Sequence, residues 1–435
     1  MNPLVLILGV PAAISCGLVV WQFLAARKFP LHKKIAISGF TPAVSILKSL
    51  KGCDDTTYAS LATWFQQNYA GEVELLFGVA DAQDPVCEIV RELLERNPQC
   101  QARLVICGEP RGMNAKAAKL AQLEKLAQHD LILVSDADVR VPPDFLASFV
   151  APLRDENTGL VNCFYRLANP TTMAMRWEGI AINADFWSQV LQAKTIKPLD
   201  FALGAAILIR RKSLEEIGGF RALTNCLADD YQLGHRIAKN GHAIALCPVV
   251  VECWDAPMGW ESVWKHQLRW ARTIRACQPL PYFFSILSNA TVWPLLWFAT
   301  SLVVSKSLVA PVIALTFLLV RVGLAQNLQR RLTPGKTLVS PASLVPAKDL
   351  LQAALWVFAF AGNTVEWRGR KMKLRRDGTL VGLLETAGSD RIRIPTPVVA
   401  RDAFLASRSA ADSVNELIAV RVSDTKRDFQ SVESK

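Results

Sequence analysis

The sequence predicts an α/β domain built on a mostly parallel sheet, with transmembrane or interfacial helices on the N-terminal and C-terminal sides of it. Two observations carry this expectation. Between residues 42 and 136 short apolar runs of strand length alternate with runs of helical period, and long apolar stretches stand at residues 3–26 and between 283 and 362.

The first stretch carries no charge and is long enough to cross about 30 Å of hydrocarbon as a helix. No basic segment precedes it, and it exceeds the apolar core of a signal peptide, so residues 1–28 read as a retained anchor. Arg27, Lys28, Lys33 and Lys34 follow; positive charge on that flank puts the N-terminus outside and the next domain in the cytosol. That domain is expected over residues 36–280. Its order is "PAVSILKSL" as a strand, "TTYASLATWFQQN" as a helix, "EVELLFGVAD" as a strand, "PVCEIVRELLERN" as a helix and "ARLVICG" as a strand. A helix from about Asn114 to Gln128 and the strand "DLILVSD" complete the run.

After the domain, the runs at 283–304 and 308–320 are separated only by "SKS" and read as a helical hairpin in lipid. The run "LLQAALWVFAFAG" is short for a crossing, so residues 283–365 are expected to mix transmembrane and interfacial helices. Three full crossings would leave the six basic residues of "EWRGRKMKLRR" outside, against the positive-inside tendency, so one run is expected not to cross fully. Residues 366–435 read as a basic, largely polar tail.

Composition narrows the function. The net charge of +11 comes without a recognition helix or an aromatic-basic platform, so anionic headgroups explain it better than nucleic acid. No glycine-rich dinucleotide fingerprint follows the first strand and no Walker loop is present, which disfavours a redox enzyme or an ATPase. The ten cysteines are scattered without a CxxC pair and read as reduced thiols.

The segment "LILVSDADVRVPPDFL" ends a buried strand on Asp136 and Asp138, two apart, and Pro142-Pro143 stop any helix from running through them. Asp favours turns at strand ends in any protein. Ligands, however, gather at the C-terminal ends of strands in open sheets, and paired carboxylates there can hold a divalent metal against a phosphate. Downstream, "ADDYQLGHRIAKNG" reads as a helix that opens at Asp229 and Asp230 and closes near Gly241, one carboxylate capping it and the other pointing into a cleft. "GWESVWKHQLRWAR" places Trp264, Leu268 and Arg272 at helical spacing, and its mixture of Trp and basic residues suits a membrane boundary.

In their order, "DLILVSDADVRVPPDFL", "LADDYQLGHRIAKNG" and "HQLRWAR", followed by apolar runs, resemble the inverting, membrane-bound lipid glycosyltransferases. More closely they resemble the ceramide glucosyltransferase family, over about Val5 to Leu383. The resemblance implies an A-type glycosyltransferase domain that binds a nucleotide sugar, with Mn²⁺ or Mg²⁺ as cofactor. It implies Asp138 as the metal ligand, with Asp136, Asp81 and Lys116 ("GMNAKAAK") against the nucleotide and its phosphates, and Asp230 as the base that takes the acceptor proton. Arg269 and Trp270 match the family's closing Arg-Trp pair. Counting back from them lands on His266 where the family has Gln or Arg, so His266 and Gln267 both remain candidates. "GAAILIRR" resembles the strand before the "EEIGGF" turn, on the acceptor side.

The implied activity is transfer of glucose from UDP-glucose to a membrane lipid, most simply ceramide, giving a β-glycolipid. The alternative is UDP-N-acetylglucosamine with a hopanoid or another lipid. The implied place is a multi-pass integral membrane protein with its catalytic domain in the cytosol, in a bacterial inner membrane or its equivalent. A processive polysaccharide synthase is disfavoured by the "HQLRW" variant and by few spans; a non-catalytic scaffold would not need these aspartates aligned.

Overall fold

The structure, a computed structural model, describes residues 2–108, 111–304, 307–335, 339–367 and 369–382. Residues 1–52 and 56–383 make one compact unit; of the second, 53–55 with 384–435, only the first three residues are described.

Alternation within each apolar run builds the sheet. In β1 (Val44–Ser49), β2 (Val73–Val79) and, past β3 (Gln101–Ile106), β4 (Leu131–Ser135), successive side chains enter two different cores. Val44, Ile46, Leu75, Phe77, Leu131 and Leu133 face one, and Leu47, Leu76, Ile132 and Val134 face the other. Strands covered on both faces must be apolar almost throughout. The first core is closed by helices Val86–Arg96 and Phe145–Val150, the second by Ala115–Leu123 and Asp229–Lys239.

The remaining strands of this sheet are β5 (Val139–Arg140), β6 (Thr158–Leu167), β7 (Ala206–Arg210) and β8 (Ala243–Cys253), in the order β3-β2-β1-β4-β7-β6-β8-β5. As expected, it is mostly parallel; the antiparallel pairs are β7 with β4 and β6, and β5 with β8. The chain steps outward from β1 to β2 and β3, then returns to place β4 on the other side of β1. That reversal opens a crevice at the C-terminal ends of β1 and β4, where ligands of open α/β sheets sit.

Helices expected at 56–68 and 114–128 are shorter, Thr57–Ala62 and Ala115–Leu123, each running on into turns. A helix over Met173–Ile196 crosses the domain, and its middle, Ala181–Phe186, is π-helical. Such a bulge carries one extra residue into a turn and rotates the side chains that follow.

Two helices, Pro3–Lys28 and Val309–Leu332, are long and apolar enough to cross a membrane. Pro279–Ser288 and Val292–Val304 would make a further span only as a pair, and they are bent by 43°. Leu344–Phe360, on the third apolar run, falls short of a span. Pro3–Lys28 packs on Val292–Val304 and Val309–Leu332, with Gly9 against the Trp297 ring, where an added Cβ would lie 3.2 Å away. Its C-terminal half joins the sheet domain, with Ala25 and Ala26 in a core shared with Trp187, Leu191, Leu328 and Val345.

Four buried charges pin these elements together. Arg321 makes a two-pronged pair with Asp185 (2.9 Å for each prong) and another with Asp349 (2.8 Å each). Lys348 pairs with Asp185 and lies 3.5 Å from Asp349, to which Thr291 donates at 2.6 Å. The set is neutral in sum, which is how buried ions are tolerated.

Part of the expected polar tail is structured. Residues 364–367 and 369–382 form an antiparallel three-stranded sheet, β9 (Thr364–Trp367), β10 (Arg370–Leu374) and β11 (Leu380–Gly382), because Val365, Met372, Leu374 and Leu380 give it a buried side against Leu227. The rest of the tail lies outside the described residues.

Candidate active site

β4 delivers Asp136 and Asp138 to the crevice, and the loop that carries them is tied down on both sides. The Asp136 N–H donates to the Ala205 carbonyl (3.3 Å), and the Asp138 carbonyl accepts from Trp254 N–H (3.0 Å). From beneath, the fully buried Lys48 at the end of β1 donates to the Asp136 carbonyl (2.7 Å) and to Ser135 Oγ (3.2 Å), its ammonium 4.0 Å from the Trp64 ring. Burial pulls Lys48 down to about 7, against the opposing pull of Asp138 and Asp136. Burial also pushes Asp138 up to about 7, helped by the negative charges of Asp136 and Asp255.

The next layer joins three segments. Asn114 caps the helix Ala115–Leu123 by accepting from Ala117 N–H (3.0 Å) and donates to Asp229 (3.2 Å), so the first turn points Lys116 into the crevice. Lys116 Nζ lies 2.6 Å from Asp136 and 3.6 Å from Asp229. Burial works against its charge, but the aspartates outweigh it and hold Lys116 above the usual lysine range.

Asp229 and Asp230 open the helix Asp229–Lys239, where the helix dipole favours carboxylates. Neither takes the expected cap position, which belongs to Ala228: Asp229 turns to Lys116 and Asn114, and Asp230 accepts from Tyr231 N–H (2.7 Å). The other oxygen of Asp230 occupies space that any side chain at position 204 would fill, since a Cβ on Gly204 would lie 2.6 Å from it. Burial, and then Asp229, push Asp230 up to about 6, with Lys116 and the Tyr231 N–H opposing.

A second cluster forms on the helix Trp260–Cys277. His266 Nδ1 and Gln267 Nε2 both lie 2.8 Å from the same oxygen of Glu178, a carboxylate only 1% exposed on the π-bulged helix. His266 and Gln267 thus share one acceptor. Trp270 packs edge-on to His266 (4.8 Å) and against Phe186 (6.2 Å), which in turn meets Tyr165 (5.4 Å). Burial raises the Tyr165 hydroxyl well above its usual value, with Cys253, Asp230, Asp136 and Glu178 adding to it. Arg269 lies over the Trp367 ring at 5.9 Å.

Of the residues expected from sequence, Lys116, Asp136, Asp138 and Asp230 share the crevice, and His266, Gln267 and Trp270 share the second cluster. Asp81 is exposed at the end of β2, its carboxylate closing a turn by accepting from Gln83 N–H (2.9 Å). Sequence reasoning did not single out Lys48, Tyr165 or Glu178, and it named Gly204 only as the start of "GAAILIRR". Lys48 alone left a signal, as a lysine inside the apolar run "VSILKSL".

No group of three or more His, Cys, Asp or Glu side chains poised to hold a metal occurs among the described residues. The donor set nonetheless fits a divalent cation that takes its other ligands from a diphosphate. Burial first, and then the negative charges of Asp136 and Asp255, push Asp138 up to about 7, and that negative set is the charge a divalent cation would meet.

A family model described as "Glycosyl transferase family 21" matches residues 6–380. Ceramide glucosyltransferase 1 of Caenorhabditis elegans is 24% identical over 226 residues, which are 50% of this chain and 47% of that protein. Ceramide glucosyltransferase 3 of the same organism is 25% identical over 251 residues, 57% of this chain and 53% of that protein. The chain thus spans about half the length of the curated relatives it matches. Among solved structures, the mannosyltransferase PcManGT from Pyrobaculum calidifontis, in complex with GDP-Man and Mn²⁺, aligns with a TM-score of 0.51 at 20% identity, covering 82% of this chain and 97% of that one. That likeness shows the shared A-type glycosyltransferase fold.

Proposed function

The chain belongs to glycosyl transferase family 21, and from that premise we propose that it transfers a glycosyl residue, with inversion, from a nucleoside diphosphate sugar to the hydroxyl of a membrane lipid. The donor in this reading is UDP-glucose and the acceptor ceramide, giving a β-glycolipid. UDP-N-acetylglucosamine with a hopanoid is the alternative and would use the same residues in the same roles.

The observation that carries the reading is Asp230. It is a carboxyl held near neutrality, with one oxygen facing Gly204 and with Lys116 beside Asp136 and Asp229. Inverting transfer needs a base that takes the proton of the acceptor hydroxyl as its oxygen attacks the anomeric carbon opposite the leaving diphosphate. A carboxylate with a raised pKa is a stronger base than an ordinary one and is still ionised at pH 7.

The diphosphate has its place at the C-terminal ends of β1 and β4. Lys116 shifts there from Asp136 and Asp229 to phosphate oxygens, and Asp136 and Asp81 line the nucleotide. Asp138, with Asp136 nearby, would hold Mn²⁺ or Mg²⁺, which when bound neutralises charge developing on the leaving diphosphate. Arg269 offers its fork of donors to the same phosphates. His266 and Gln267 act through Glu178, fixing the helix that presents Trp270 to the acceptor mouth. Exposed apolar side chains such as Leu280, Phe283, Phe284 and Phe358 support a domain seated against lipid. The same reading keeps Met1 outside and residues 36–280 in the cytosol, where UDP-sugars are.

The test is the full chain purified in detergent and supplied with Mn²⁺ and either UDP-glucose or UDP-N-acetylglucosamine, with ceramide, diacylglycerol or a hopanoid polyol. Lipid-dependent UDP release that disappears in Asp230→Asn supports the assignment. UDP release indifferent to every lipid, or unchanged in the variant, removes it.

A further inference from the structure

The sheet of β9, β10 and β11 holds none of the residues expected to do chemistry, yet its buried side meets three segments that carry them. Val365, Met372, Leu374 and Leu380 pack with Met113, Leu227 and Ala276. Met113 precedes the capping Asn114 and stands three before Lys116, and Leu227 stands two before Asp229. Ala276 lies in the last turn of the helix that carries Arg269. Backbone pairing makes the join specific. Asp377 closes the turn before β11 by accepting from Thr379 N–H (3.0 Å) and Thr379 Oγ1 (2.7 Å), and Gly378 supplies the positive φ of 80°. Arg375 N–H bonds to the Thr379 carbonyl (2.8 Å), so the next amide of β11, Leu380 N–H, points away from β10 and donates to the Asn225 carbonyl (2.8 Å). Leu227 N–H returns a bond to the Gly378 carbonyl (3.2 Å), with Cys226 opposite Thr379. The same stretch is also held by the Lys116 loop. Asn225 Oδ1 accepts from Met113 N–H (3.2 Å), the Cys226 carbonyl from Asn114 Nδ2 (2.9 Å) and the Thr224 carbonyl from Asn114 N–H (2.8 Å).

We propose that this sheet is a brace of the active site, and that its turn Asp377–Leu380 positions the base Asp230 by gripping residues 225–227, the stretch from which the chain enters the helix Asp229–Lys239. The inference rests on the transferase reading above and adds what keeps its base in place. The far end of the brace is anchored on the helix of the phosphate-binding arginine. Arg272 donates to the carbonyls of Ala361 (3.1 Å) and Thr364, Arg275 donates to the Gly362 carbonyl (3.3 Å) and to Asn363 Oδ1, and the Trp367 ring lies beneath Arg269. The base and Arg269 are thus tied to one small element from opposite ends. A base that shifts costs rate rather than donor affinity, because its alignment with the acceptor proton matters in the transition state.

The experiment uses the full chain in detergent and reads geometry separately from folding. Leu380→Pro removes the N–H that the Asn225 carbonyl receives, whereas Leu380→Ala keeps it and gives up most of the buried side chain. In the lipid-dependent assay Leu380→Pro should lose at least about tenfold more kcat than Leu380→Ala, while its donor KM and its stoichiometry of UDP binding stay those of the parent. Amide exchange over residues 224–231 should be at least about tenfold faster in Leu380→Pro and unchanged in Leu380→Ala. Asp377→Ala opens the same turn from its exposed side and decides the matter if Leu380→Pro does not fold. It should move kcat and exchange in the same directions, and Asp377→Asn, which can still close the turn, should restore both. Equal losses within each pair, or exchange over 224–231 that is the same in every variant, make the sheet a plain stabilising element and overturn the proposal. Faster exchange in the opened-turn variants of a protein without lipid-dependent transfer keeps the brace and removes the transferase reading; transfer at the parent's rate in all of them, with exchange unchanged, does the reverse.

Discussion

Asp230 and Asp138 both keep their protons far above the ordinary aspartate range, and the two shifts predict different experiments. Asp230 serves as a base only when ionised, so kcat/KM should fall on the acid side with a midpoint near the value of about 6 that burial and Asp229 impose. Asp230→Asn should lose at least about 10²-fold in kcat with the donor KM unchanged. A midpoint near 4, or a loss confined to the donor KM, counts against the assignment. Gly204→Ala should lower kcat in the same direction by crowding the Asp230 oxygen.

For Asp138 the prediction concerns the fold. A carboxyl whose folded-state value is raised destabilises the native state when it ionises; the cost is absent below its ordinary 3.8 and complete above about 7. Metal-free Asp138→Asn should therefore melt higher than the parent at pH 8, with the gain shrinking as the pH falls toward 4, while divalent-dependent turnover is lost. A gain that is flat with pH would show that the charge is not its source. The aspartates were legible because their spacing at a strand end is itself the chemistry. Lys48 and Glu178 were not, because each matters through a neighbour distant in the chain: Asp136, and His266 with Gln267.

At the scale of elements, the helices and strands with a clean period were readable. The parallel strands announce themselves because both faces are buried, whereas β5 has two residues and no period to show. The π-bulge in Met173–Ile196 breaks the 3.6-residue rhythm, which hides that Glu178, Asp185 and Phe186 serve three different neighbours from one helix. Because His266 and Gln267 share one Glu178 oxygen, His266→Ala and Gln267→Ala should cost activity to a similar degree. Glu178→Gln should reproduce the loss; a tenfold gap between the first two, measured at saturating lipid, would separate their roles. Arg321→Met leaves Asp185, Lys348 and Asp349 with two negative charges against one positive, and should destabilise the protein by about 3–5 kcal/mol in detergent melts. A melt within 1 °C of the parent, an effect of about a few tenths of a kcal/mol, would mean that water reaches the cluster.

For the molecule as a whole, Arg27, Lys28, Lys33 and Lys34 at the foot of Pro3–Lys28 predict Met1 outside and the sheet domain inside. Single cysteines introduced at residue 2 and on the exposed face of the domain, in a background without the native thiols, should label with an impermeant reagent in sealed cells only at residue 2. Labelling of the domain would invert the map. The four-charge cluster adds a consequence in time. During synthesis Asp185 leaves the ribosome long before Arg321, and Lys348 and Asp349 come last. If Val309–Leu332 enters a bilayer as it is made, the only counter-ion then synthesised is Asp185. A nascent chain halted before Lys348 therefore presents Arg321 with one acidic partner, Asp185, where the complete chain gives it two.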